Sequence, residues 1–500
     1  MTEPIFETIK VNDKKGECEG QVRVECKTDV LCEDVSKILS VTTTLGTCQG
    51  EELDGKLKYN GRVVFYVIYL DVQGNVNKCE CITDYHGDVE CSIKDAYAKF
   101  YAKTEKEECD LTGNRLTVSA YVTVKANLYA NNPVKFLIGG DDFILDKKEL
   151  SYVKSYGVKK GVYPVEEEFT LNYALSKILC QKAKAHVTAV QCGVGCIIVD
   201  GELYLSLLLL QNIEKSDIIR EERTFPFRME IEYEQAMPVM TALARVSEKS
   251  YKTDVTVDGD SNTSKVNVSV NLCFEGEAFS LESVTVPTDL FCTAKHTETE
   301  RECIDYLTPI GVKKLETTIT CRCQGEELPA GCRLMSISNE KVEVLSYVKL
   351  GDKIEVTGVA SATAFFKDTE GKTFSANWLS PFETLVECEL QDCYQIDLTA
   401  FAKKPTAKIL SINEAELEIQ TVFSLNVYQK GCFNFVKSVK YGEEKRICDS
   451  AISVYIAREG EDLWSLAKRL NVCPDELVEN NKELQFPLTG EERIVVYRQK

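Results

Sequence analysis

Apolar residues in this chain recur most persistently at every second position. Leu116, Val118, Ala120, Val122, Val124, Ala126 and Leu128 share one face, while Thr117, Ser119, Thr123, Lys125 and Asn127 occupy the other. Val266, Val268, Val270, Leu272 and Phe274 repeat the pattern, as do Leu417, Ile419, Phe423, Leu425 and Val427. Period two held this long predicts antiparallel strands with one wet side. Val63 to Leu70 and Leu203 to Leu210 are apolar on both faces, which predicts strands inside a sandwich or beneath a neighbouring domain. After residue 450 the period changes. Ile452, Val454 and Ile456 alternate as in a half-buried strand; Leu463, Leu466, Ala467 and Leu470 then follow helical spacing. Leu477 and Val478 supply the apolar face of a second helix, and Ile494 and Val496 alternate again, so the order is strand, helix, helix, strand. Asp462 suits the cap of the first helix and Pro474 the first position of the second. Cys473, where the second helix needs a polar cap, weakens it.

The middle of the chain repeats. Ser36-Lys37-Ile38-Leu39 recurs as Ser176-Lys177-Ile178-Leu179, and Gly61 as Gly201, both at an offset of 140. At an offset of 297, Leu57, Tyr59, Gly61, Tyr69, Asp71 and Gly74 match Ile354, Val356, Gly358, Phe366, Asp368 and Gly371. Three copies of one β-rich unit follow, over 1–155, 156–282 and 283–436, then a linker at 437–450 and a small module at 451–498. Phe225-Pro226-Phe227 and Pro381-Phe382 mark one place in the second and third copies, where the first has Asp84-Tyr85; a proline there is expected to end pairing at a strand edge.

Lys plus Arg number 59 against 79 Asp plus Glu, a formal charge of -20, which argues against a nucleic-acid partner. The amino terminus has no basic stretch leading into an apolar run, and no segment is long and apolar enough for a membrane span, so a cytosolic protein is expected. The 22 cysteines form no Cys-x-x-Cys pair and are accompanied by only three histidines, so neither a metal site nor a cysteine nucleophile with its base is expected. Carboxylate runs such as Glu166-Glu167-Glu168 read as solvated loops in so acidic a chain, and no cofactor motif is present. A non-enzymatic protein is expected. Beyond buried thiols, Cys321, Cys323 and Cys332, within a Gly- and Pro-containing loop, and Cys79 and Cys81 are candidates for oxidative cross-linking of an assembly.

The run Tyr455-Ile456-Ala457-Arg458-Glu459-Gly460-Glu461-Asp462-Leu463-Trp464, with Asn480-Asn481 and Ile494-Val495-Val496-Tyr497, resembles a LysM module. The Lys-Ile-Leu entry, the Gly-centred alternating strand and the Pro-Phe element resemble SPOCS repeats. Together they resemble the SPOCS-repeat and LysM spore coat morphogenetic proteins of endospore-forming clostridia. The resemblance implies three tandem β-sandwich-like SPOCS domains and a β-α-α-β LysM domain, made in the mother cell and assembled onto the forespore surface. It also implies a scaffold whose LysM module binds a coat morphogenetic ATPase alongside other coat proteins. Two other readings stay open: a LysM that recognises N-acetylglucosamine polymers of peptidoglycan, or a self-associating subunit of a spore surface appendage. By resemblance the LysM groove is bounded by Gly460, Glu461, Asp462, Leu463 and Trp464 on one side and Asn480, Asn481, Pro487 and Leu488 on the other. Taken singly, Asp462 and Asn480 read as helix caps, Leu463 as core, and Trp464 as packed on the second helix.

Overall fold

The computed structural model describes residues 4–29, 35–53, 55–91, 97–113, 115–140, 142–211, 217–258, 262–325, 327–391, 394–445 and 451–497. The first unit contains β1 (Ile5–Asp29), β2 (Val35–Leu45), β3 (Gln49–Leu53), β4 (Lys56–Asp71), β5 (Val76–Glu90), β6 (Tyr97–Thr112) and β7 (Arg115–Gly139). The second contains β8 (Phe143–Leu171), β9 (Lys177–Cys192), β10 (Cys196–Leu210), β11 (Ile218–Glu232), β12 (Thr241–Asp258) and β13 (Thr263–Cys292). The third contains β14 (Lys295–Gln324), β15 (Arg333–Leu350), β16 (Lys353–Lys367), β17 (Thr373–Glu387), β18 (Tyr394–Ile409) and β19 (Glu414–Glu444).

All three units share one topology, and the fold is mainly β. The long first strand pairs antiparallel with the last, giving β1-β7-β6, β8-β13-β12 and β14-β19-β18. A meander forms the opposing sheet, β9-β10-β11 and β15-β16-β17; in the first unit β2 and β3 share one edge of β4, and β5 takes the other. The period-two faces meet inside. Leu116 to Leu128 pack on Leu57, Val63, Phe65 and Val67; Val266 to Leu272 on Val199, Leu203, Leu205 and Leu207; Leu417 to Val427 on Ile354, Val356 and Phe366.

Strands apolar on both faces serve two cores. Odd positions of β4 fill its own unit, whereas Tyr66 and Ile68 join Leu208, Leu210, Ile218 and Phe365 in a cluster shared by all three units. Ile68, Leu208 and Phe365 are the same position at offsets of 140 and 297, each buried. The repeat therefore closes on itself around an apolar axis.

Outside the sandwiches the long strands continue as two-stranded ribbons. Register shifts between Lys14 and Gly16, Glu277 and Phe279, and Pro309 and Gly311 mark the same neck in each unit. Beyond it, Ile9, Val11, Val134, Phe136, Leu150, Tyr152, Val286, Phe433 and Phe435 pack together, so three ribbons form one stalk. The expected limit at 155/156 lies at the neck of the second unit and that at 282/283 in its ribbon, so both fall inside strands, β8 and β13; the chain passes between units from β7 to β8 and from β13 to β14. Residues 437–444, expected in a linker, continue β19, because the third ribbon pairs Lys295 with Glu444; 446–450 lie outside the described residues.

Each repeat glycine faces an aromatic residue across the meander: Gly61 opposite Tyr85, Gly201 opposite Phe227, Gly358 opposite Phe382. A Cβ on Gly358 would lie 2.1 Å from the Glu343 carbonyl oxygen and 2.8 Å from the Phe382 ring. Gly358→Ala is expected to cost about 1–3 kcal/mol through overpacking, read as a lowered urea midpoint. Pro226 and Pro381 do not end pairing; they sit within β11 and β17, opposite Glu202 and Val359. Both are edge strands, where a missing donor costs the ladder nothing.

Charged groups are buried at the seams. The Glu340 carboxylate of the third unit, 1 % exposed, accepts from Arg220 Nη1 at 2.9 Å and Lys182 Nζ at 3.0 Å of the second. Glu277 of the second unit accepts from Tyr97 of the first at 3.0 Å and from Ser155 at 2.6 Å.

Candidate functional site

The terminal module consists of β20 (Ile452–Ile456), α1 (Leu463–Leu470), α2 (Pro474–Asn480) and β21 (Arg493–Tyr497), with the two strands antiparallel. Asp462 caps α1 as its chemistry requires, accepting from Ser465 N at 2.7 Å. That amide bond, acting against burial, holds its carboxyl below the usual range. Pro474 opens α2, and Cys473 makes no side-chain cap bond. Leu466, Ala467, Leu470, Leu477, Leu488, Ile494 and Val496 form the core.

The loops expected to bound a groove are laced together. Gly460 N donates to Leu488 O at 2.7 Å, and Leu488 N donates to Glu461 O at 3.0 Å. Glu461 binds Arg469 through both oxygens, at 2.6 Å each, and this pairing lowers its pKa. Leu463 is half-buried and Leu488 buried, while Asn480 and Pro487 are exposed. Asn481 ties α2 to β21, donating to Leu477 O and Val495 O and accepting from Val495 N.

Trp464 packs at the edge of the module core and reaches beyond it. Its ring lies 5.3 Å from Phe291, at the end of β13, and its Nε1 donates to Asp289 at 2.8 Å. Lys468 and Arg301 also bind Asp289, and Asn471 Nδ2 reaches Thr293 O at 2.7 Å. One face of α1 is thus spent on docking the module to the stalk.

The strand β20 also differs from expectation. Ser453 and Tyr455 are paired with the inward Val496 and Ile494, which turns Ile452, Val454 and Ile456 to solvent at 58, 60 and 59 % exposure. Tyr497, opposite Ile452, is 51 % exposed, and Val478 faces outward from α2 rather than joining its apolar face. Two short helices cover only one side of a two-stranded sheet, so its other side stays open.

The candidate thiols are mostly enclosed. Cys321 and Cys323 are not in a loop: the strand period runs on to Gln324, and both point into the third core, with Cys332 half-buried against it. Their mutual hydrogen bond lowers Cys321 and raises Cys323. Cys81 is bonded to Cys26 across the two sheets of the first unit, and Cys79 is half-buried, its thiol pushed up by burial. Among the described free thiols, the exposed ones are Cys303 and Cys432. They lie together on the third ribbon beside Asp305, their donor atoms within 4.8 Å of one another. No sequence signal marks them, because register between β14 and β19 brings them together.

Glu166-Glu167-Glu168 lies in β8 rather than in a loop, with Glu168 paired to Lys265 at 2.7 Å. Buried His186 engages Glu202 at 3.0 Å, whereas His86 and His296 are exposed. Among the described residues no helix is long and apolar enough to cross a membrane. No family model matches this chain, and no curated protein or solved structure matches it either.

Proposed function

We propose that the chain is a non-enzymatic scaffold for spore coat assembly, held at the forespore surface by its terminal module, which binds a coat morphogenetic ATPase. The observation that carries this reading is the outward stripe of Ile452, Val454 and Ile456 with Tyr497 beside it, on a module docked to the three-ribbon stalk. Aliphatic side chains without hydrogen-bonding groups suit a protein surface; a sugar polymer needs convergent polar groups. The laced loops and the inward use of Trp464 leave the glycan reading less to work with.

The test uses the full chain. With Ile452, Val454 and Ile456 all changed to Ser, affinity for the ATPase is expected to fall at least about tenfold, or 1.4 kcal/mol, with the unfolding midpoint unchanged. Wild type is expected not to sediment with insoluble peptidoglycan. Unaltered ATPase binding by the triple variant would sink the proposed surface, and tight retention on peptidoglycan would favour the glycan reading.

A further inference from the structure

We propose that Cys303, Cys432 and Asp305 form a binding site for one soft divalent cation, zinc being the biological case, on the outer face of the third ribbon. The register dictates the cluster. Asp305 stands directly opposite Cys432, and Cys303, two residues earlier on the same strand and so on the same face, is diagonal to it. All three are exposed, and their donor atoms lie within 4.8 Å of one another. A tetrahedral zinc with bonds of about 2.3 Å to sulfur and about 2.1 Å to oxygen sets its ligands roughly 3.6–3.8 Å apart. Rotation of exposed side chains closes that gap without moving the strands.

The donor chemistry selects the ion. Two thiolates and one carboxylate favour zinc over calcium or magnesium, which take all-oxygen shells. Binding converts both thiols to metal thiolates and releases two protons, with no change of oxidation state. In the absence of a cation, partial desolvation, then the neighbouring Cys432 and Asp305, push the Cys303 thiol up; a dication reverses the repulsion between these groups. Lys430 holds Asp305 at 3.3 Å, with both side chains 57 % exposed, a pair too wet to compete strongly. Three protein ligands leave the fourth position facing solvent.

The experiment titrates the full chain, reduced with a phosphine, with Co²⁺ and then with Zn²⁺. One equivalent of Co²⁺ is expected to produce a thiolate-to-cobalt charge-transfer band, which Zn²⁺ removes, with release of two protons. Cys303→Ser and Cys432→Ser are each expected to weaken binding at least about tenfold, Asp305→Asn less, while Lys430→Ala strengthens it and Cys332→Ser leaves it unchanged. The two thiols are exposed, so circular dichroism should show these variants folded. Absence of the band in the reduced protein overturns the proposal, as does a band that survives Cys303→Ser. A pair that yields no free thiols until reduced, then no metal, would instead be a disulfide site.

Discussion

Glu340→Ala will destabilise the protein by about 3–5 kcal/mol, the cost of removing one partner from a buried ion pair. Arg220 and Lys182 converge on this carboxylate from the second unit, and Arg220 also donates to Ile337 O at 2.9 Å and to Tyr204 at 3.2 Å. Without Glu340 the guanidinium stays charged at a seam it cannot leave, because arginine does not shed its proton. Replacing Arg220, Lys182 and Glu340 together with Leu, Met and Leu should recover only part of the loss, since Glu222, 17 % exposed and bound by Arg220 Nε at 2.5 Å, is then left without its cation. Urea midpoints of the single and triple variants check both statements. A single variant as stable as wild type would show that the seam admits water.

The same carboxylate sets an acid limit. Burial alone would raise its pKa, but Arg220 and Lys182 outweigh that and hold it down to about 2, against an ordinary 4.5. Between these values the unfolded chain binds a proton that the folded chain refuses, so folding loses stability as pH falls. The contribution is complete above about 4.5 and disappears as pH approaches 2. Other paired carboxylates titrate in the same direction. The informative quantity is therefore wild type minus Glu340→Ala, which should shrink from pH 7 to pH 3.

What the sequence disclosed is what neighbouring residues decide. Leu116 to Leu128 alternate because their own strand has one core face, and Asp462 caps because the amides of the next turn are within its reach. Strands apolar on both sides announced a second covered face at Val63 to Leu70, although not that Phe365 would supply part of the cover. The ribbons were illegible. Ile9 with Val11, Val134 with Phe136, and Phe433 with Phe435 are pairs too short to show a period, and they become a core only when three ribbons meet. Cysteine roles failed for the same reason: Cys321 and Cys323 look like loop thiols beside Gly325 and Pro329, whereas Cys303 and Cys432 owe their proximity to a register set far from both. In the module, helix and strand were readable, but not which side of β20 the helices would cover.

Trp464→Ala is expected to release the module from the stalk without unfolding it. Within the module the core is Leu466, Ala467, Leu470, Leu477, Ile494 and Val496, and Trp464 contributes to it only from the edge, over Phe291. Its indole donates to Asp289, which also receives Lys468 at 2.8 Å and Arg301 at 2.7 Å; against the pull of burial, Lys468 and Trp464 keep that carboxyl below its usual range. Truncation removes the ring contact and one donor together. A half-buried Trp should cost about 2–4 kcal/mol, somewhat under the 3–5 of a fully buried one. The remaining links are the Lys468–Asp289 ion pair, half open to water and worth up to about 1 kcal/mol, and two single hydrogen bonds, Asn471 to Thr293 and Lys445 to Asn471, worth about 1–2 kcal/mol each. Small-angle scattering should then show a longer particle, and limited proteolysis should cut faster between the third unit and the module, while the main unfolding midpoint stays where it was. Asp289→Asn, which weakens the ionic half but spares the ring, should fall between wild type and Trp464→Ala. If neither variant changes cleavage or particle length, contacts other than this corner hold the module, and the direction in which Ile452, Val454 and Ile456 point would no longer depend on it.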